Sequence, residues 1–140
     1  MNIKKIDEKD FYELDDSEIK AIQKASSDVT NNTYPTPGKG YTTAVMTKSG
    51  NIYPGISYSS DTGTLTMHCE AVALSNAALH GEKDVIAIEG PNCHICKQLI
   101  WESSLRSGID VNCIIEDNGK VKQVPISTLM IYPWPEKPRI

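Results

Sequence analysis

The sequence predicts a three-layer α/β/α domain, a mixed five-stranded sheet with helices on both faces, whose last two strands form an antiparallel hairpin. Three observations carry this expectation. Apolar residues recur at helical spacing in three stretches and in short extended runs in five. Helical and extended stretches alternate through the middle of the chain, the order expected of strands linked by crossovers. Asp117-Asn118-Gly119 then separates the last two extended runs with a tight-turn signal.

Taken in order, residues 1–16 alternate charges with isolated apolar side chains and read as a loosely ordered lead-in. From Ser17, which can cap, Ile19, Ile22, Ala25 or Ser26, and Val29 recur at helical spacing, so a helix is expected to about Asn31. Two prolines and two glycines in 34–40 make that stretch a loop, either a connector or a substrate-facing wall. Residues 41–48 and 52–58 read as strands joined at Ser49-Gly50-Asn51, and Pro54 marks the second as an edge or a bulge. A helix over 67–79 is nearly apolar all round and should be well buried; His80-Gly81 ends it. Residues 85–88 form a short buried strand. A third helix starts near Cys93, carries Ile95, Leu99, Ile100 and Leu105, and ends at Gly108. Strands over 111–115 and 121–124 follow, then a last helical turn over 126–131.

Length and charge bound the function. At 140 residues the chain is expected to be one domain, 1–140, with a single core. A net charge of −4 offers no basic field for nucleic acid, so long polymer substrates are disfavoured. No signal peptide and no membrane span are read from the sequence. Of the four cysteines, Cys93 and Cys96 are too local for a secreted disulfide framework, and beside a histidine they read as metal ligands in a reducing cytoplasm.

The residues that carry chemistry are His68, Glu70, Cys93 and Cys96. A catalytic zinc site uses three protein ligands and keeps a fourth position open for water. His68, Cys93 and Cys96 supply those three, and two thiolates balance the +2 charge of the ion. Zinc lowers the pKa of bound water from 15.7 to roughly 7. Glu70 is then left to move protons, from that water to a ring nitrogen and on to a departing amine. The set suits hydrolytic loss of an amino group from an amidine-like carbon such as cytosine C4. Both halves fall at helix starts, where unpaired N–H groups favour thiolate over thiol. A structural zinc site would need a fourth ligand from Cys69, His94 or Cys113, and neither that reading nor a redox cysteine pair employs Glu70. Cys113, in an apolar strand, reads as a buried free thiol, and His80 as a helix-end residue.

H-x-E followed by C-x-x-C resembles the zinc deaminase signature, and the resemblance to the cytidine deaminase superfamily runs from about residue 40 to 134. Gly63-Thr64-Leu65-Thr66-Met67-His68-Cys69-Glu70 is similar to the family's G-L-T-x-C-A-E segment. Cys93-His94-Ile95-Cys96-Lys97-Gln98-Leu99-Ile100-Trp101-Glu102 is similar to its C-G-x-C-R-Q-V-L-W-E, and Leu129-Met130-Ile131-Tyr132-Pro133-Trp134 to its L-L-P ending with a following aromatic. The hairpin turn at Asn118-Gly119 points to the free-nucleoside cytidine deaminase and blasticidin S deaminase branch; branches acting on tRNA, nucleotides or single-stranded DNA carry a parallel last strand.

The resemblance implies a zinc-dependent enzyme that converts cytidine, deoxycytidine or a related cytosine-bearing nucleoside to its uracil form with release of ammonia, as in pyrimidine salvage. The alternatives are a blasticidin-type or other aminoheterocycle deaminase with a non-standard sugar site, and a non-catalytic zinc-containing nucleoside-binding module. It also implies a homo-oligomer, tetramer or dimer. Departures are specific. His68 stands where this branch has Cys, and Lys97 where it has Arg, which lacks the planar fork of Arg. Pro91 sits one place early, with Asn92 before the first ligand cysteine, which repositions the local carbonyl. The N-V-E-N segment that grips ribose aligns with Ser57-Tyr58-Ser59-Ser60, so Ser57 and Ser59 are the sugar-side candidates. Tyr41 (or Tyr34) replaces the upstream stacking Phe, and Trp134 stacks on the base of a neighbouring subunit; ordinary packing is the alternative for Tyr41 and Trp134.

Overall fold

The structure is a computed structural model that describes residues 1–90 and 93–140; the shifted proline at Pro91 and the neighbouring Asn92 lie outside the described residues. Residues 1–16 are not a loose lead-in. They form a hairpin of β1 (Asn2–Ile6) and β2 (Lys9–Glu13), paired antiparallel. Ion pairs Lys4–Glu13 (2.8 Å) and Lys5–Asp10 (2.7 Å) decorate its solvent side, while Phe11, Tyr12 and Leu14 are buried. Its anchor lies at the far end of the sequence. The Leu14 N–H donates to Gln123 Oε1 (2.7 Å), Gln123 Nε2 donates to the Leu14 carbonyl (2.9 Å), and Asn112 Nδ2 donates to the Tyr12 carbonyl (2.9 Å).

Helix α1 (Asp16–Asp28) is capped two residues earlier than expected, because Asp15 and Glu18 form a reciprocal capping box. Asp15 Oδ1 accepts from the Glu18 N–H at 2.9 Å, and Glu18 Oε1 accepts from the Asp15 N–H at 3.0 Å. Ser17 instead donates its hydroxyl to Asp15 at 2.6 Å.

The main sheet contains β3 (Thr42–Thr47), β4 (Ile52–Ile56), β5 (Val85–Glu89), β6 (Asn112–Asp117) and β7 (Lys120–Pro125), in the order β4-β3-β5-β6-β7. Only β5 and β6 run parallel, and the other neighbours are antiparallel. This is the expected mixed five-stranded sheet, and β6–β7 is the expected closing hairpin. Asn118 and Gly119 turn it with φ of 51° and 77°, the left-handed geometry that favours this residue pair. Pro54 lies in β4 and so on an edge, where its missing N–H breaks no ladder.

Alternation along β3 divides the core. Ala44 and Met46 pack with Ile19 and Ile22 of α1 and with Tyr12 and Leu14. Val45 faces the opposite layer, with Ala73 and Ala77 of α2 (Cys69–Leu79) and Ile100 and Trp101 of α3 (His94–Ser107). The sheet therefore lies between α1 on one side and α2 with α3 on the other, and α3 is the crossover from β5 to β6.

Helix α2 is less buried than its composition suggests: Leu79 is 85% exposed, and the buried stripe is Cys69, Ala73 and Ala77. Those residues, four apart, let the helix lie close on β4. A Cβ at Gly55 would overlap the Cys69 carbonyl oxygen and the Ala73 nitrogen and come within 2.8 Å of the Ala73 side chain. On α3, Ile95 is exposed and Gly108 ends the helix at φ 72°.

Candidate metal centre

The sheet aims two helix starts at each other. His68 is the N-cap of α2 and Cys93 the N-cap of α3, and neither side chain caps its own helix. In most helices that position turns its side chain back onto the first N–H groups; here both are free to face outward, and Cys96 joins them from the first turn of α3. The ligand atoms of His68, Cys93 and Cys96 lie within 4.8 Å of one another, and no further described residue joins that group.

The distances and the donor set fit zinc. Zn–N near 2.0 Å and Zn–S near 2.3 Å in a tetrahedron require N···S edges of about 3.5 Å. His68 Nδ1 lies 3.2 Å from Cys96 Sγ and 3.6 Å from Cys93 Sγ, so Nδ1 is the nitrogen turned toward both thiols. Burial first, and then the nearby Glu70 and Cys93, push the Cys96 thiol well above its ordinary range. A divalent cation reverses that penalty, because it deprotonates a coordinating thiol outright.

Glu70 occupies the first turn of α2, where the helix dipole favours a carboxylate. Cys69 is buried, and its thiol donates to Glu70 Oε1 at 2.9 Å. Burial, reinforced by that hydrogen bond, pushes the Cys69 thiol up, which keeps it a donor at neutral pH. This bond is the feature of the site that sequence reasoning missed: the sequence offers Cys69 only as a fourth ligand of a structural zinc site. The residue pair itself was the available signal, since a thiol next to a carboxylate at a helix start has few other acceptors.

The residues weighed as a fourth ligand are engaged elsewhere or exposed. Cys113 is fully buried in β6, where burial, with Asp110 adding to it, raises its thiol to about 12. His94 is exposed. His80 closes α2, with Nδ1 2.8 Å from the Asn76 carbonyl.

The four substrate-side candidates are spread along three segments. Ser57 is buried, and its hydroxyl accepts from the Tyr41 N–H at 3.0 Å. Ser59 is half-buried and donates its N–H to the Tyr34 carbonyl at 2.9 Å. The chain beside them leads directly to the candidate ligand His68, because Tyr58 and Met67 exchange backbone hydrogen bonds (3.0 and 2.9 Å) one residue before it. Antiparallel pairing puts Tyr58 and Met67 on the same side of this ribbon and Ser57 on the other, and Tyr58 stacks on Tyr34 with ring centroids 4.1 Å apart. Tyr41 is 80% exposed and Trp134 68%, so neither belongs to the core. Trp134 is fixed through its backbone, whose carbonyl accepts from Gln98 Nε2 at 2.6 Å, and Arg139 lies over its ring.

This architecture, a β4-β3-β5-β6-β7 sheet with the candidate ligands at two facing helix starts, is the cytidine deaminase fold. No family model and no curated relative matches the chain. Solved structures do. Cytidine deaminase from Mycobacterium leprae is 17% identical with a TM-score of 0.66 over 80% of this chain and 96% of that one. The Burkholderia pseudomallei enzyme is 17% identical, with a TM-score of 0.67 over 82% and 98%. The Mycobacterium tuberculosis enzyme is 12% identical, with a TM-score of 0.69 over 87% and 98%. At these identities the likeness carries the fold, and it bears out the fold read from the sequence.

Proposed function

We propose that the chain is a zinc-dependent hydrolytic deaminase acting on cytidine, deoxycytidine or a related small cytosine-bearing nucleoside. The observation that carries the reading is the convergence of His68, Cys93 and Cys96 at two helix starts, with the Glu70 carboxylate in the first turn of one of them. His68, Cys93 and Cys96 would hold the ion, whose Lewis acidity brings coordinated water into the neutral titration range. The protein's own contribution is proton traffic. Glu70 takes a proton from the attacking water, delivers it to the ring nitrogen beside the reacting carbon, and passes a second to the departing amine. A C–N bond is exchanged for C–O, water enters and ammonia leaves.

A second reading, a blasticidin-type or other aminoheterocycle deaminase, is favoured by Ser57. Its buried hydroxyl is already engaged with the Tyr41 N–H, which weakens it as a partner for a ribose hydroxyl. Assignment of Ser59, Tyr41 and Trp134 to the substrate belongs to the same proposal. We further read residues 1–140 as one domain, which the Gln123–Leu14 bonds between its ends support, and as a homodimer or homotetramer, supported by the exposed Leu79, Ile95 and Leu99 on α2 and α3. Among the described residues no helix is long and apolar enough to cross a membrane, and all four cysteines are free thiols, which suits a reducing cytoplasm and a role in nucleoside salvage.

An ultraviolet assay across cytidine, deoxycytidine, cytosine and blasticidin S, with zinc analysis of the same preparation, tests the function. The expected result is one zinc per chain and turnover of at least one of the four, both lost together on chelation. Bound zinc with silence on every substrate would replace the enzyme with a nucleoside-binding module.

A further inference from the structure

Glu70 has a competing place to go. A glutamate in the first turn of a helix can fold back onto unpaired backbone N–H groups, as Glu18 does on the Asp15 N–H of α1 at 3.0 Å. Glu70 stands one place nearer its cap, at the second position of α2, where the first N–H groups also lack a side-chain partner because His68 makes no cap bond. A carboxylate captured there could not serve the metal centre. The Cys69 thiol takes hold of Oε1 instead, at 2.9 Å.

We propose that Cys69 is a positioning residue for Glu70: its thiol holds Oε1 and so keeps the carboxylate at the metal centre, where it moves protons. The inference rests on the deaminase reading and deepens it. Two independent constraints fix the thiol. Its side chain is buried, so it has little other place to turn. Its backbone is pressed against β4 at Gly55, where a single methyl would collide with the Cys69 carbonyl. The glutamate is thereby registered to the sheet through its neighbour, and its stem does not have to find the productive rotamer during each turnover. Preorganisation of this kind acts on the chemical step and leaves substrate affinity alone.

The test uses zinc-loaded protein and two variants. Cys69→Ala should lower kcat about tenfold at unchanged KM, the loss expected when a charged acceptor loses one weak donor. Cys69→Ser, which restores an O–H donor, should return kcat to within about threefold of the parent. Zinc content and Tm should change little in either. A readout independent of activity is the Raman S–H stretch of Cys69, assigned by its disappearance in Cys69→Ala. It should lie below the free-thiol position in the parent and move up in Glu70→Ala. A band unmoved by Glu70→Ala, or an unchanged kcat in Cys69→Ala, overturns the assignment. Absence of turnover on all substrates removes the deaminase reading instead, and the band shift then decides the Cys69–Glu70 bond by itself.

Discussion

Two glutamates flank α2, Glu70 in its first turn and Glu82 just beyond its end, and their surroundings are opposite. Glu82 is saturated. It accepts from Thr47 Oγ1 (2.6 Å) and Asn51 Nδ2 (2.7 Å), and from the hydroxyls of Ser49 and Tyr53. Those donors, Ser49 foremost, hold its carboxyl at about 2. They fasten the β3–β4 turn to the segment that follows α2. Among the described residues Glu70 accepts from the thiol of its own neighbour, Cys69, with the Cys96 thiol close by. A carboxylate whose lone pairs are all engaged is a fastener; one with capacity left over is available for chemistry. With Glu70 in the role proposed above, the two ends of one short helix divide stability from reactivity, and substitutions should separate the two.

The largest effect is expected at Glu70. Glu70→Gln should cut turnover on the order of 10²–10⁴-fold, the range for loss of a general acid/base, while zinc content and Tm stay near the parent values. Near-normal turnover in that variant would remove the assigned role. Next comes Gly55→Ala, which forces α2 off β4 and should destabilise by about 1–3 kcal/mol, the usual range for overpacking. Chemical denaturation measures that loss, and kcat should fall with it because Cys69 and Glu70 move together. Glu82→Ala should behave in the opposite sense to Glu70→Gln, with a lower Tm and unchanged kcat for the folded fraction. If Glu82→Ala instead slowed turnover at unchanged stability, the division between the two ends would be wrong.

Acid sharpens the same contrast. The folded-state pKa of Glu82 lies near 2, below its ordinary 4.5. Its stabilisation is therefore complete above about pH 4.5 and is lost as pH falls toward 2. The parent protein should lose Tm across that window more steeply than Glu82→Gln. The smallest expected effect is at Tyr53, whose phenol is raised above its ordinary range, first by its hydrogen bond to Glu82. Its ultraviolet titration should shift down in Glu82→Ala.

How far these features were legible depends on how local their causes are. Asn118-Gly119 announces its hairpin because the turn's own dihedral angles demand those residues. Pro54 announces an edge for a similar reason. The candidate ligand group was legible in so far as His68, Cys93 and Cys96 are types with few roles in common, although their meeting depends on two strands placing two helix starts face to face. The N-terminal hairpin was not legible. Its strands carry mixed charge, and what orders them is Gln123 and Asn112, about a hundred positions away. Ser57 misleads in the same way, because the backbone N–H that engages its hydroxyl belongs to Tyr41, and nothing in the serine reports it. The exposure of Leu79 follows from geometry, since the buried stripe of small residues on α2 faces β4 and leaves the last leucine outside it.

The margins of the sheet have a consequence for how the chain behaves at high concentration. One border strand carries Pro54, which withholds an N–H, and the other carries the exposed Lys120 and Lys122. Proline and lysine at open borders discourage strands of separate molecules from docking side by side. Both open borders of the folded five-stranded sheet thus carry residues that disfavour edge-to-edge pairing of its copies.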